Sequence, residues 1–154
     1  MVTVRREELS SPVAQKLINA LNAELMLQYP DESATHFRLD ACEVADGSGA
    51  FVVAYRDAAP VGCGAVRRLD GACAELKRMY VVPEARGEGI GRKLLTALEA
   101  EARKLGVQRL VLETGTRQLA ALGLYRCAGF RDIELFGEYV ESPATSICMA
   151  KELG

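Results

Sequence analysis

The sequence holds a single histidine, His36, no tryptophan and only five cysteines in 154 residues. One imidazole excludes a metal site built on several histidines. The cysteines Cys42, Cys63, Cys73, Cys127 and Cys148 are odd in number, and none stands in a Cys-x-x-Cys pair. Neither a disulfide framework nor a zinc knuckle is therefore expected, and no metal. That usage suits a reducing cytoplasm. Excess basic charge is also missing: the net charge is −2, which leaves no broad cationic surface for nucleic acid. No stretch approaches the ~18 apolar residues of a membrane span. Residues 1–20 lack a long apolar core, and no lipidation pattern is present. The expectation is a soluble cytoplasmic protein with no membrane partner.

What is present is ordinary for a globular chain, with 49% hydrophobic and 26% charged residues. The length fits one domain over 1–154, large enough to bury a core without covalent staples. Basic residues do gather locally, at Arg67, Arg68, Lys77, Arg78, Arg86, Arg92 and Lys93. Such a local cluster suits a small anionic ligand better than a polymer.

Val2-Thr3-Val4-Arg5 alternates like a short edge strand. Ser11-Pro12 reads as a hydroxyl cap with proline at the first helical position. Val13, Leu17, Leu21 and Leu25 recur every four residues, giving a helix with one apolar face up to Tyr29-Pro30. The polar region 31–49 reads as loop with room for a short helix. Three strands follow: Ala50 to Arg56, Val61 to Leu69 after the turn Asp57-Ala58-Ala59-Pro60, and Cys73 to Val82 after Asp70-Gly71, a two-residue hairpin signal. Short connections make antiparallel neighbours. The pattern then changes to a helix over Gly91 to Leu105, a short strand Leu110-Val111-Leu112, a helix over Ala120 to Cys127, a strand from Phe130 and a last strand near Ser146 to Lys151. The order β-α-β-β-β-α-β-α-β-β predicts an α+β, mixed α/β fold around one sheet.

The most informative segment runs from Tyr80 to Lys93, where a strand ends, glycines alternate at Gly87, Gly89 and Gly91, and a long helix begins. Glycine permits positive φ and close approach of a ligand. A helix start leaves amide N–H groups unpaired, with partial positive charge behind them. Together these make an anion site suited to a pyrophosphate, to which Arg86 and Arg92 add charge. A dinucleotide-binding G-x-G-x-x-G fails on spacing, because position 92 is Arg92, and so does a Walker loop, because Gly91 is followed by Arg92-Lys93. A glycine-rich connection with no ligand is the alternative.

Arg86-x-x-Gly89-x-Gly91, preceded by Met79-Tyr80-Val81, resembles the coenzyme A signature of the GNAT N-acetyltransferase superfamily. Leu124-Tyr125-x-x-x-Gly129-Phe130 is similar to a second hallmark of that family. The resemblance covers residues 50–135 well and the first strand and helix loosely. It implies a GNAT-like central mixed sheet and acetyl-CoA as co-substrate. It also implies that the strand Cys73–Val82 carries a bulge and splays from a parallel neighbour at Leu110–Glu113. The pantetheine arm would lie in that gap, beside main-chain groups of Met79, Tyr80 and Val81. Amides across Gly87, Glu88, Gly89, Ile90, Gly91 and Arg92 would hold the pyrophosphate. Many members have asparagine just after the second strand, where this chain reads Glu113-Thr114-Gly115-Thr116-Arg117-Gln118; Thr114 or Gln118 would substitute.

Acyl transfer to an amine needs a neutral nucleophile, donors for the oxygen that gains charge, and a proton for the departing thiolate. A main-chain N–H near Val81, freed by the bulge, would be the donor. Tyr125 would protonate the sulfur, or else simply pack beneath its helix. Glu75 is the candidate general base, since strand alternation puts it on one face with Lys77 and Met79; Glu113 or water is a second choice, and a role for Glu75 as an ion-pair partner of Lys77 or Arg78 stays open. Cys73 and Cys127 read as small, at least half-buried residues, since a covalent cysteine mechanism has no evident base. Phe136 and Tyr139, on the loop running to Pro143, and the 29–37 region flank the acceptor side. The acidic loop residues Glu134, Glu138 and Glu141 suit either a cationic amine or plain solvent.

The leading function is acetylation of a small-molecule primary amine in a ternary complex. Acetylation of a protein lysine or N-terminus, and an acyl-CoA-sensing module without turnover, are the alternatives. A homodimer is allowed by the sequence.

Overall fold

The computed structural model describes residues 1–29 and 39–154. Its strands are β1 (Val2–Arg6), β2 (Gly49–Arg56), β3 (Ala59–Arg68), β4 (Cys73–Val81), β5 (Arg109–Gly115), β6 (Arg131–Ile133) and β7 (Ser146–Glu152), and its helices are α1 (Pro12–Gln28), α2 (Ile90–Lys104) and α3 (Leu119–Cys127). Short 3-10 turns occupy Ala41–Val44, Pro83–Ala85 and Gly137–Glu141. The strands form one seven-stranded sheet in the order β1-β2-β3-β4-β5-β7-β6. Only β4 and β5 run parallel; the other pairs are antiparallel. The element order agrees with the sequence reading. His36 and most of the polar 29–37 region lie outside the described residues.

Two apolar layers sandwich the sheet. Leu17, Leu21 and Leu25 of α1 pack on Phe51, Val53, Cys63 and Ala65. Leu94, Leu95 and Leu98 of α2, with Leu122 and Tyr125 of α3, cover Val52, Ala54, Leu76, Leu110 and Leu112 on the other face. Burying each such leucine contributes about 1.5–3 kcal/mol. Double coverage explains why β2 alternates so little in polarity: its first seven residues are all buried. Helix α1 starts where the Ser11 hydroxyl accepts the Ala14 N–H at 3.0 Å, with Pro12 in the first turn.

The two hairpins differ. Between β2 and β3, Asp57 (φ 50°) and Ala58 (φ 75°) form the two-residue loop, as the right-handed twist of the flanking strands requires. Between β3 and β4 the two-residue reading of Asp70-Gly71 is corrected. Arg68 pairs with Ala74, and the Asp70 carboxylate accepts the N–H groups of Ala72 and Cys73 at 2.8 and 2.9 Å. That side-chain turn widens the loop.

Candidate active site

Strands β4 and β5 pair only from Cys73 opposite Arg109 to Leu76 opposite Leu112. Beyond that point each keeps its outer neighbour, β4 with β3 as far as Val81 and β5 with β7 as far as Gly115. The inner edges part and leave a gap. The cause lies on the other edge of β4, where Arg78 and Met79 stand opposite the single residue Gly64 between the pairs Cys63–Tyr80 and Ala65–Lys77. Arg78 takes φ 59°, a left-handed value that only a bulge requires of an arginine within a strand.

The bulge lies three residues earlier than Val81 and changes which side chains share a face. Glu75, Lys77 and Met79 do not alternate onto one side as expected. Lys77 stays near Glu75 and Glu43, and Arg78 reaches Asn22 of α1 at 2.8 Å. Met79 turns instead toward α2, where its Sδ and a Leu98 methyl crowd Gly64. Val82 N–H donates to Val61 O at 2.9 Å. Main-chain groups of Tyr80 and Val82 therefore point at β3, and those of Met79 and Val81 point at the gap. The Val81 carbonyl accepts the Arg86 Nε–H at 2.9 Å, while the Arg86 Nη2 donates to Glu24 of α1 at 2.8 Å.

After Val81 the chain turns through Pro83–Ala85 and enters α2. Gly87 and Gly89 take φ 83° and 80°, and a Cβ built on either would meet no atom within 4 Å. The positions demand glycine for conformation and stand open to a ligand. Gly89 caps α2 without a side chain, and no acidic residue occupies the first turn. By contrast α1 has its serine cap. The unpaired N–H groups at the head of α2 thus carry the helix's partial charge into open space, and exposed Arg92 and Lys93 add to it. Glu88 is drawn aside by Arg56, at 2.5 and 2.7 Å. Gly91 fits between Val81 and Leu124 of α3, which brings Tyr125 alongside the end of β4. These features fit a diphosphate at the turn and a pantetheine arm in the gap.

The gap opens into a cavity of about 100 Å³. Its wall includes Lys77, Arg78, Met79, Glu113, Thr114, Gln118, Tyr125, Tyr139 and Ser146, closed by Leu21, Leu25 and Tyr29 from α1. Both substitutes for the missing asparagine, Thr114 and Gln118, are therefore at hand. The Tyr125 ring packs edge-on against Phe130 with centroids 5.8 Å apart, and its burial raises the phenol well above its usual range. Glu113 accepts the Ser146 hydroxyl at 2.7 Å.

Glu75 has a different setting. Only 1% exposed, it accepts both Arg67 Nε–H (3.0 Å) and Arg67 Nη2–H (2.8 Å) on one oxygen, and the Tyr139 hydroxyl (2.6 Å) on the other. Arg67 also reaches Glu43. Glu75 stands behind the cavity wall and Tyr139 forms part of it, with Phe136 edge-on to Tyr139 at 5.3 Å. Phe136 and the three loop acids Glu134, Glu138 and Glu141 are absent from the lining among the described residues. Cys127, expected at least half-buried, is exposed at the end of α3, whereas Cys73 is half-buried.

Sequence reasoning put the 29–37 region on the acceptor side but did not single out Tyr29, whose side chain stands against β5 and is part of the cavity wall. Its hydroxyl accepts the Arg117 N–H at 2.7 Å, and a Cβ on Gly115 would lie 2.0 Å from it. The glycine after Glu113-Thr114 is the trace this contact leaves in the sequence.

A model of the acetyltransferase (GNAT) family matches residues 14–130. The IAA acetyltransferase of Azospirillum brasilense is 42% identical over 153 residues, covering 99% of this chain and 98% of that protein. A solved chain from Klebsiella pneumoniae, assigned as an acyl-CoA N-acyltransferase, superposes with a TM-score of 0.83 at 32% identity, over 100% of this chain and 99% of that one. A GNAT family acetyltransferase from Elizabethkingia anophelis, solved with acetyl-CoA bound, shares the fold with a TM-score of 0.70 at 21% identity, covering 98% and 97% of the two chains.

Proposed function

The chain belongs to the acetyltransferase (GNAT) family and is an acyltransferase with acetyl-CoA as co-substrate, and on that premise we propose that it acetylates the primary amine of a small molecule by direct transfer, both substrates being bound together. One observation carries this reading: the gap between β4 and β5 leads into a pocket of about 100 Å³ whose lining includes a carboxylate, Glu113, and a buried phenol, Tyr125. A pocket of that volume suits a small acceptor better than a segment of polypeptide. The relatives are acetyltransferases of named small molecules as well as proteins without an assigned acceptor.

Acetyl-CoA supplies an acyl group already activated as a thioester. The rest falls to the chain. Glu113, on the cavity wall, takes a proton from the incoming ammonium, directly or through a water, and leaves a nucleophilic amine. The N–H of Val81, turned toward the gap, meets the oxygen that gains charge as the new C–N bond forms, while main-chain groups of Met79 meet the pantetheine arm. The Tyr125 hydroxyl donates to the sulfur as the C–S bond breaks. Because burial holds the proton on Tyr125 tightly, the phenol acts chiefly as a hydrogen-bond donor to the departing thiolate. The second proton of the nitrogen, released as the amide forms, passes through water to that sulfur, which leaves as thiol, and Glu113 returns the first proton to solvent. Glu75 serves as a positioning residue. With Arg67 on one oxygen and Tyr139 on the other, it holds the Tyr139 ring against the cavity. Met79, Val81, the turn from Arg86 to Arg92, and Thr114 form the co-substrate site, and Tyr139 faces the acceptor; Tyr80, expected beside the pantetheine arm, turns its main-chain groups to β3 and its ring to the core under α1.

The test is thiol release from acetyl-CoA against a broad panel of amines, beside calorimetry with acetyl-CoA and desulfo-CoA. Turnover with a small amine supports the reading. Binding with no thiol release from any small amine, but with release on peptide lysines, replaces it with the protein-directed alternative; binding with neither points to a sensor.

A further inference from the structure

We propose that Arg56, at the end of β2, is a positioning residue of the co-substrate site: it holds the Glu88 carboxylate away from the diphosphate that the turn receives. This rests on the co-substrate site proposed above.

The turn from Arg86 to Arg92 contains one acidic residue, Glu88. It sits between the two glycines of left-handed conformation, Gly87 (φ 83°) and Gly89 (φ 80°). Left-handed residues in a turn gather successive N–H groups into an anion-binding hollow, and the head of α2 adds its own unpaired N–H groups. A carboxylate carried in the middle of that hollow works against it, because a negative charge a few ångströms from a diphosphate repels it. The first turn of α2 brings no further acid. Where the Glu88 side chain points therefore sets the field that the ligand meets.

Arg56 decides that direction. Its Nη1 donates to both Glu88 oxygens, at 2.5 and 2.7 Å, across 32 residues of sequence. The guanidinium comes from a fixed place. Arg56 pairs with Val2 of β1 on one side and Ala59 of β3 on the other, and the tight loop Asp57-Ala58 follows at once. Asp57 and Glu84 also lie near Arg56, yet it is Glu88 that accepts these bonds. The two side chains are 35% and 43% exposed, so the pair adds little to folding. Its consequence lies at the turn, where the one carboxylate is drawn to β2 and its charge is matched. The amides of Gly87, Glu88 and Gly89 are left to the ligand.

The experiment compares three donors by calorimetry: acetyl-CoA, acetyl-dephospho-CoA, which keeps the diphosphate, and S-acetylpantetheine, which lacks it and is measured by displacement. Arg56→Ala should weaken both nucleotide donors by about fivefold at low ionic strength, and by less as salt screens the repulsion. S-acetylpantetheine should change by less than about twofold, since it carries no charge for Glu88 to oppose. Adding Glu88→Gln, which keeps the main-chain N–H, should bring both nucleotide donors back to within about twofold of the wild type. Adding Glu84→Gln instead restores the same net charge and should not. Unchanged affinity in Arg56→Ala overturns the proposal. So does a loss that Glu88→Gln fails to rescue, or that Glu84→Gln rescues equally well. A loss that spares acetyl-dephospho-CoA also overturns it, and puts Arg56 on the 3′-phosphate. The underlying site is tested separately on the wild type. If acetyl-CoA binds no tighter than S-acetylpantetheine, the turn holds no diphosphate and both readings fall. If that preference exists and survives whole in Arg56→Ala, Arg56 alone loses its role.

Discussion

The Tyr139 hydroxyl donates to Glu75 at 2.6 Å, from a cavity-wall ring to a carboxylate that is itself shut away from the cavity. The same contact raises the Tyr139 phenol far above its ordinary range, burial acting first and the negative charge of Glu75 second. Both Glu75 oxygens are in use, one by Tyr139 and one by Arg67. Glu75→Gln therefore leaves half-buried Arg67 facing a neutral amide, with Glu43 as its remaining carboxylate. Loss of a buried, hydrogen-bonded charge costs about 3 kcal/mol. A drop of that order in chemical denaturation is expected, together with a raised KM for the amine. Glu113→Gln should do the opposite, keeping stability within about 1 kcal/mol while lowering kcat. If Glu75→Gln alone lowers kcat at unchanged stability, the base is Glu75.

Tyr125→Phe removes one hydroxyl and keeps the ring that packs against Phe130. Acetyl-CoA affinity should stay within about twofold, and kcat should fall by about 10²-fold. The folded-state pKa of Tyr125 is raised, so the donor form persists through and beyond the usual phenol range near pH 10. Wild-type activity should show no alkaline limb due to this residue below about pH 10. The same sign holds for stability: the contribution is complete below the unfolded phenol's pKa and is lost as pH rises through the folded one. An alkaline limb near pH 8 that disappears in Tyr125→Phe would show a free phenol of lowered pKa instead.

Gly89 offers a way to separate strain from obstruction. Its φ is 80° and the space around a built Cβ is open. Asparagine tolerates left-handed φ better than other side chains, so Gly89→Asn should keep the thermal midpoint within a few degrees. Its side chain would nevertheless stand over the amides at the head of α2. Acetyl-CoA affinity should fall by about tenfold or more, a loss of roughly 1.4 kcal/mol, with dephospho-CoA, which keeps the diphosphate, weakened equally. Calorimetry on both ligands checks this. Unchanged affinity would remove the turn from the co-substrate site.

Periodic and punctuated segments of this fold were readable from the sequence because their physics is local. Ser11-Pro12 fixes where α1 starts, and the spacing of Leu94, Leu95 and Leu98 fixes the buried face of α2. The bulge is not local. Nothing in Lys77-Arg78-Met79 announces that an arginine will take φ 59°; Gly64, on the neighbouring strand, supplies the room in which Met79 packs. Strict alternation therefore sent Met79 to the wrong face and made Glu75 look like a cavity residue. Arg67, the cation that occupies Glu75, sits on β3 directly across the ladder, a partnership that a strand-by-strand reading does not pair up. The loop acids looked relevant because composition has no direction, whereas the cavity admits only the side of the loop that carries Tyr139.

Gly115 and Tyr29 form the remaining coupled pair. A Cβ on Gly115 would fall 2.0 Å from the Tyr29 hydroxyl and 2.5 Å from its ring carbon Cζ, so Gly115→Ala forces the ring out of its seat at the end of β5. Overpacking of this kind costs about 1–3 kcal/mol. It should also open the cavity, since Tyr29 is part of its wall, and so raise KM for the acceptor. Tyr29→Ala removes the clash but loses the hydroxyl that accepts the Arg117 N–H and the ring beneath the Arg117 guanidinium, 4.9 Å from the centroid. The double variant Tyr29→Ala/Gly115→Ala should therefore be no less stable than Tyr29→Ala alone, with a coupling energy close to the whole cost of Gly115→Ala. Denaturant unfolding of the four proteins in the cycle measures it. Additive losses would mean that the cost of Gly115→Ala does not arise from the Tyr29 ring.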